Sequence, residues 1–592
     1  MIQYIKKAVL IVIAIIASIG IQLNINMDIC IWNRFSGNYM ISLILCFFIF
    51  EALEKVSKLK DKRVHFFAGI IALVFSVIEV LGFYLENYNQ LHFVKVSIIK
   101  GITYYICFYI AITILFSKIK KNANKAERVH REAKSQKNIK LFFGSWGVIF
   151  ICWIPYFIKY FPGIMTPDSI LQAGQAIAYG LNSHHPMFHT LIIKLALNIG
   201  NIIKDYNMGV AIYSIMQMLI MSSIFAYAIT YIDSRQTSKV FSILSLVYFA
   251  IYPVFGVYSI TMWKDILFGG VVLIYAIRIF ELICNTEENI NSIKSNIILA
   301  TIILLISLLR NNGIYTIILS FPIMLIIFRK YWKKILAIYL IPIILYFVFN
   351  SYCFNVLNAG KGNIAEAFSI PMQQFARVVK YHKDELPEED KNKINQYIPV
   401  ADADSLYDAR ISDPIKNNFN SENFKQNKLE FFKLWLKLLK KYPKEYVEAF
   451  LYNSYGYWYP DTTYWIIATE ITNNDFGITQ SGIKNIILLD KLLEHRNIPI
   501  ISMAYSIGFI FFIILFIIGY LIYIKEYKII AIFIQILALW LTTLASPVYC
   551  EYRYMFSFFT CIPIMILTIM GRKNNKKGKN SNGKNSSINT LL

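Results

Sequence analysis

Residues 140–160, KLFFGSWGVIFICWIPYFIKY, run directly into residues 161–190, FPGIMTPDSILQAGQAIAYGLNSHHPMFHT. The first stretch is predominantly apolar and, as a helix rising ~1.5 Å per residue, spans about the 30 Å of bilayer hydrocarbon. The second is polar and punctuated by proline. It holds three of the eight histidines (His184, His185, His189) and one carboxylate, Asp168. A membrane helix followed by such a segment reads as a span that delivers a chemical site to the bilayer surface.

The pattern recurs along the chain. Hydrophobic residues make up 57% and charged residues only 16% of 592 positions, far from the composition of a soluble domain. Fourteen apolar runs are candidate spans: 8–24, 39–53, 65–85, 97–117, 140–160, 208–231, 239–257, 265–283, 295–311, 313–328, 335–350, 500–524, 528–545 and 554–571. The fold class is therefore all-α polytopic membrane protein with about 14 transmembrane helices. The opening MIQYIKKAVLIVIAIIASIG resembles a signal peptide, but with further spans after it the better reading is an uncleaved anchor. Eight cysteines lie mostly within spans without paired spacing, which indicates neither a disulfide framework nor a zinc motif.

The net charge of +23 sits in short loops between apolar runs, so it points to membrane orientation and not to nucleic acid. Lys55–Arg63, Lys118–Lys137, Arg329–Lys334, Lys525–Lys528 and the tail Arg572–Lys584 are expected on the cytoplasmic side, with both termini, in a cell membrane. Segment 161–190 and the polar region 351–498 then face outward. Residues 187–203 are apolar enough to cross, which would invert every later loop; Lys194 in their middle favours an interfacial helix instead. The organisation reads as a four-span module (1–139), a membrane core (140–350), an extracytoplasmic, mostly helical domain (351–498), three C-terminal spans (499–571) and a low-complexity basic tail (572–592).

Polar residues cluster at the predicted outer ends of spans. In Thr166-Pro167-Asp168-Ser169, Asp168 reads as a helix-capping feature, with Ser169 to Gln172 as a capping box, and, compatibly with that, as a general base or metal ligand whose pKa burial would raise. His185 and His189 share a helix face at i, i+4 spacing; with His184 they suit phosphate or sugar contact, a metal site, or plain packing. Lys264 and Asp265 open one span, as a phosphate contact and a second carboxylate, or as a cap. Arg310 and Asn311 interrupt two apolar runs, where an arginine binds an anionic phosphate or snorkels to the interface. Glu551, Tyr552 and Arg553 form another polar turn, in which Glu551 and Arg553 can simply pair. No phosphate-binding or dinucleotide glycine pattern appears, so no nucleotide cofactor is expected.

These motifs together, TPDS, HHPMFHT, MWKD, LRNNGIY and PVYCEYRY, resemble an uncharacterised family of multi-span proteins of Gram-positive bacteria. That family is similar to the GT-C membrane glycosyltransferases, which include protein O-mannosyltransferases and lipid A aminoarabinose transferases. The resemblance covers roughly residues 140–571, with 1–139 an added module. It implies a GT-C-like fold with an essential acidic residue in the first outer loop, matched by Asp168. It also implies a His-Pro step matched by His185-Pro186 and a later acidic residue matched by Asp265. The adjacent acidic pair of some members is absent at Asp168.

The resemblance implies sugar transfer with inversion from a polyprenyl-phosphate donor to a cell-wall polymer, glycolipid or protein. Asp168 and Asp265 would be catalytic, or ligands of a divalent cation. His184, His185, His189, Lys264, Arg310, Asn311, Tyr552 and Arg553 would bind substrate. The rivals are a transporter or flippase of lipid-linked oligosaccharide, with charges deep inside several spans, and a polysaccharide polymerase or ligase using lipid pyrophosphate. Polar clusters at span ends favour an enzyme.

Overall fold

The computed structural model describes residues 2–23, 39–91, 93, 95–125, 138–235, 237–483, 485–494 and 498–570. The tail 572–592 and the second half of the Lys118–Lys137 run lie outside the described residues. The described chain is all-helical, and its β pairing is limited to four isolated bridges.

Among the described residues, eight helices are long and apolar enough to cross a membrane: Gln3–Gln22, Lys62–Asn87, Lys95–Asn122, Ile139–Lys159, Tyr206–Ser234, Lys264–Cys284, Arg329–Asn355 and Tyr527–Ala545. The expected span 239–257 is a broken pair, Lys239–Ile251 and Pro253–Ser259, bent by 52° at a proline whose ring cannot continue the helical hydrogen bonding. Ile293–Leu309, Gly313–Ile327, Ile507–Tyr523 and Tyr552–Leu567 are apolar but shorter. Tyr39–Ser57 is helical, but Glu51, Glu54 and Lys55 load its second half with charge.

Residues 187–203 behave as the interfacial alternative requires in one respect: they do not carry the chain to the far end. The Met187–Ile202 helix folds back on the first turns of Tyr206–Ser234. His189 meets Tyr213 at one end of the hairpin, and Gly200 meets Gly209 at the other. A Cβ on Gly200 would stand 2.4 Å from the Gly209 nitrogen, so the tight crossing needs glycine there.

The helix bundle has two distinct ends. At one, Asp61 takes hydrogen bonds from Lys120 (2.9 Å) and Tyr523 (2.7 Å), which gathers three of the lysine-rich helix ends. At the other lie the segment after Tyr160, the start of Lys264–Cys284, the Arg310 break and the turn 546–553. A separate unit covers that second end. It buries its own core, with Met372, Phe375, Val379, Phe424, Phe431 and Leu438 among its members. Ser546 ties it to the bundle through Ser369 (3.1 Å) and the Glu366 carbonyl (2.6 Å). The N-terminal helices dock on Ile507–Tyr523, where Phe75 stacks on Phe512 with centroids 4.0 Å apart.

Candidate active site

The loop after the Ile139–Lys159 helix is held in extended form by backbone pairing. Ile164 N–H donates to Ile260 O, Met262 N–H to Ile164 O, and Thr472 N–H to Met165 O. The pairing delivers Thr166 to the start of a short helix, Pro167–Gly174, with proline at its first position. The expected capping box does not form. Ser169 Oγ donates to Met262 O, and Gln172 turns to Thr190 and His189. Thr166 Oγ1 accepts from the Trp263 indole at 2.7 Å and makes no cap hydrogen bond. The same contact fixes Lys264 against this loop.

Asp168 is therefore left to two cations. Its Oδ2 accepts from Arg553 Nη1 at 2.8 Å and from Lys264 Nζ at 3.2 Å, while 27% of its side chain stays exposed. Burial would raise its pKa, but Lys264 and Arg553 outweigh that and hold the carboxyl well below the usual range. The expected raised pKa is overturned, because burial came with partners that the sequence does not place.

Arg553 also pairs through Nε with Glu551 Oε1 at 2.9 Å and lies over the Trp263 ring, 4.8 Å from its centroid. Glu551 is the site carboxyl whose pKa is raised, first by burial and further by Asp168 and Asp265, against the pull of Arg553. Lys264 Nζ donates to His185 Nδ1 at 3.2 Å. In that tautomer the His185 Nε2 bears the proton, and it is buried without a hydrogen-bond partner among the described residues. Burial, then Lys264, pushes His185 down to about 2, so its ring is neutral.

A second, deeper pair lies beside the first. Arg310 Nη1 stands 3.3 Å from Asp265 Oδ1, with side chains 6% and 1% exposed. Arg310 also donates to the Tyr554 carbonyl at 2.9 Å. The guanidinium groups of Arg310 (4.6 Å) and Arg553 (5.2 Å) both lie against the Tyr554 ring, so the two ion pairs adjoin. A cavity of about 360 Å³ opens beside His185, lined by Asn311, Tyr315, Tyr346, Phe347 and Phe349 among others.

The cluster gathers Asp168, His185, Lys264, Asp265, Arg310 and Arg553 from four separate parts of the chain. Asn311 stands at its edge, donating to the Ser183 and His184 carbonyls, and His184 is exposed with its ring against His185. Two expected substrate contacts are placed elsewhere. His189 is buried between Gln172 Oε1 (3.1 Å) and Tyr213 OH (2.7 Å), a network continued by Gln217. Tyr552 points into the core, bonded to Tyr252 and stacked on Phe559. Trp263 and Tyr554, the rings that seat the arginines, were not singled out in the sequence, although each adjoins a cation there.

A divalent ion shared by Asp168 and Asp265 does not fit this arrangement, since each carboxylate already faces a cationic side chain. Among the described residues no group of three or more His, Cys, Asp or Glu could hold a metal ion.

The fold and the cluster define an all-helical membrane protein with an ion-paired pocket at one end of its bundle. Residues 176–584 match the family described as a family of unknown function (DUF6020), and the chain belongs to that family. No curated protein and no solved structure matches the chain. Asp168 precedes the matched stretch, whereas its partners Lys264 and Arg553 lie within it.

Proposed function

We propose that the protein is a GT-C-type membrane glycosyltransferase that moves a sugar from a polyprenyl-phosphate donor to an extracytoplasmic glycan, lipid or protein, with inversion. On this reading the shorter apolar helices also cross, giving about 14 spans, with both termini cytoplasmic and the site facing outward. The carrying observation is Asp168, partly exposed and held by two cations next to an aromatic cavity. A lipid phosphate needs cations, and an isoprenoid chain needs apolar walls; both are adjacent here.

The donor phosphate would compete with Asp168 for Lys264 and Arg553. As it draws them away, the carboxylate loses the charges that depress its pKa and becomes a competent base. Asp168 then takes the proton of the acceptor hydroxyl. The acceptor oxygen bonds to the anomeric carbon, and the bond from that carbon to the phosphate oxygen breaks. Its electron pair stays on the departing polyprenyl phosphate, where Lys264 and Arg553 stabilise the new charge. The buried Arg310–Asp265 pair fixes the wall behind Tyr554.

The test uses the full chain in lipid nanodiscs with synthetic polyprenyl-phosphate sugars and envelope glycan, lipid and protein acceptors. The expected result is acceptor-dependent release of polyprenyl phosphate, lost in Asp168→Asn. Donor translocation without cleavage would overturn the reading in favour of a flippase. Turnover only with pyrophosphate donors would point to a polymerase or ligase.

A further inference from the structure

The turn that carries Glu551 and Arg553 is held from outside the site. Its residue Cys550 has φ +56°, a left-handed conformation that a non-glycine residue keeps only when its surroundings impose it. Residue 456 must be glycine to admit it, since a Cβ there would stand 2.5 Å from Cys550 Sγ. On one side the turn is pinned to Trp465, whose N–H donates to Cys550 O and whose carbonyl accepts from Tyr552 N–H. On the other side the hold runs through Tyr549 to the N-terminal module.

There Glu86, in the last turn of the Lys62–Asn87 helix, gathers three hydroxyls on one carboxylate oxygen. Oε2 accepts from Thr462 (2.6 Å), Tyr455 (2.8 Å) and Tyr549 (3.3 Å). The Tyr549 hydroxyl is also 2.7 Å from both the Tyr455 and Thr462 hydroxyls, which closes the network around it. Arg410 donates to the Glu86 carbonyl at 2.6 Å and lies over the Tyr455 and Tyr549 rings. These residues come from four parts of the chain, at 86, 410, 455–462 and 549, and the three hydroxyls share one carboxylate oxygen.

We infer that Glu86 is a positioning residue for the candidate active site: by anchoring Tyr549 it holds the 549–553 turn so that Arg553 meets Asp168. Glu86 lies outside the family-matched residues 176–584, so the N-terminal module would complete a site whose cations belong to the family segment. The consequence for transfer rests on the function proposed above; the hold on the turn does not.

The experiment reads both separately in the full chain. N-ethylmaleimide alkylation of Cys550, which is fully buried, is followed by peptide-resolved mass spectrometry beside that of Cys561, buried elsewhere. Removal of one half-buried hydrogen-bond acceptor shared by three donors opens a local segment by roughly tenfold. Glu86→Ala is therefore expected to speed Cys550 alkylation by about tenfold, leave Cys561 unchanged, and weaken polyprenyl-phosphate binding by a similar factor. Glu86→Gln keeps an acceptor oxygen and should stay within about threefold of the wild type on both readouts. If Glu86→Ala fails to fold, Tyr549→Phe removes only the linking hydroxyl and carries the same expectation.

Unchanged Cys550 protection overturns the inference. So does an equal rise at Cys561, which would make Glu86 general scaffolding. A wild type that neither binds polyprenyl phosphate nor transfers sugar would instead remove the proposed function, and the Cys550 result would still decide the positioning role.

Discussion

Asp168 and Arg553 stand 385 positions apart in the chain and meet at 2.8 Å. The contact joins the first loop after the Ile139–Lys159 helix to the first turn of the last apolar helix, Tyr552–Leu567. It makes the acidity of one residue a property of the other.

The first prediction concerns Asp168→Asn. Asparagine has nearly the same shape, and Asp168 makes no cap hydrogen bond that the fold needs. The variant should express and fold but melt below the wild type in detergent, because Lys264 and Arg553 lose their anionic partner. Sugar transfer should fall by roughly 10²–10⁴-fold, the usual contribution of general-base catalysis. A stable, fully active variant would leave Asp168 as an anchor for Lys264 and Arg553 and nothing more.

The second prediction separates the two cations. Arg553→Lys keeps a charge but loses the planar fork that pairs at once with Asp168 and Glu551. Lys264→Met removes the charge and the donor to His185. Both should weaken binding of polyprenyl phosphate, measured by titration into nanodiscs, and Lys264→Met should raise the pKa of Asp168. Binding that is unchanged in both variants would place the lipid phosphate elsewhere.

The third prediction concerns Arg310. Its side chain is 6% exposed and its guanidinium faces the carboxylate of Asp265, whose side chain is 1% exposed. Arg310→Leu leaves that carboxylate buried without its charge partner, a loss of about 3–5 kcal/mol. The double variant Arg310→Leu, Asp265→Leu should recover much of the loss, because no lone charge remains buried. Thermal melts of the two variants check it. If Arg310→Leu melts like the wild type, the pair is not a structural element of the wall.

Much of this site was legible because its polar residues interrupt apolar runs. A lysine, arginine or aspartate at the end of a 20-residue apolar stretch stands out, and Asp168, Lys264, Asp265, Arg310 and Arg553 were found that way. Which cation meets which carboxylate was not legible, since Arg553 and Arg310 are equivalent by position and differ only in the tertiary contacts around Tyr554. His189 was read with His185 from their i, i+4 spacing. The hairpin with Tyr206–Ser234 presses His189 against Tyr213 and leaves His185 facing Lys264. Span counting was limited for a related reason: Pro253 breaks one run and charge dilutes another, and neither effect shows in the length of the apolar pattern.

The last prediction is a pH dependence of stability. Burial holds His185 down to about 2 and His189 to about 3, against about 6.5 in an unfolded chain. Between those values the unfolded state binds a proton at each site and the folded state does not. Stability is therefore present in full above about pH 6.5 and falls as the pH drops below it, by about 2 kcal/mol per histidine at pH 5. Asp168 adds nothing in that window: its folded pKa is depressed, so its contribution is lost only in stronger acid. Glu551 has a raised pKa and acts in the opposite sense, losing stability as the pH rises. His189→Gln keeps a side chain able to bond Gln172 and Tyr213, and it should remove about half of the acid-side slope. His185→Gln, His189→Gln together should abolish the acid-side loss between pH 6.5 and 5 and leave only the opposite slope to which Glu551 contributes. Melting curves in detergent across that range decide it, and a double variant with the full wild-type slope would mean that neither histidine is held neutral by burial.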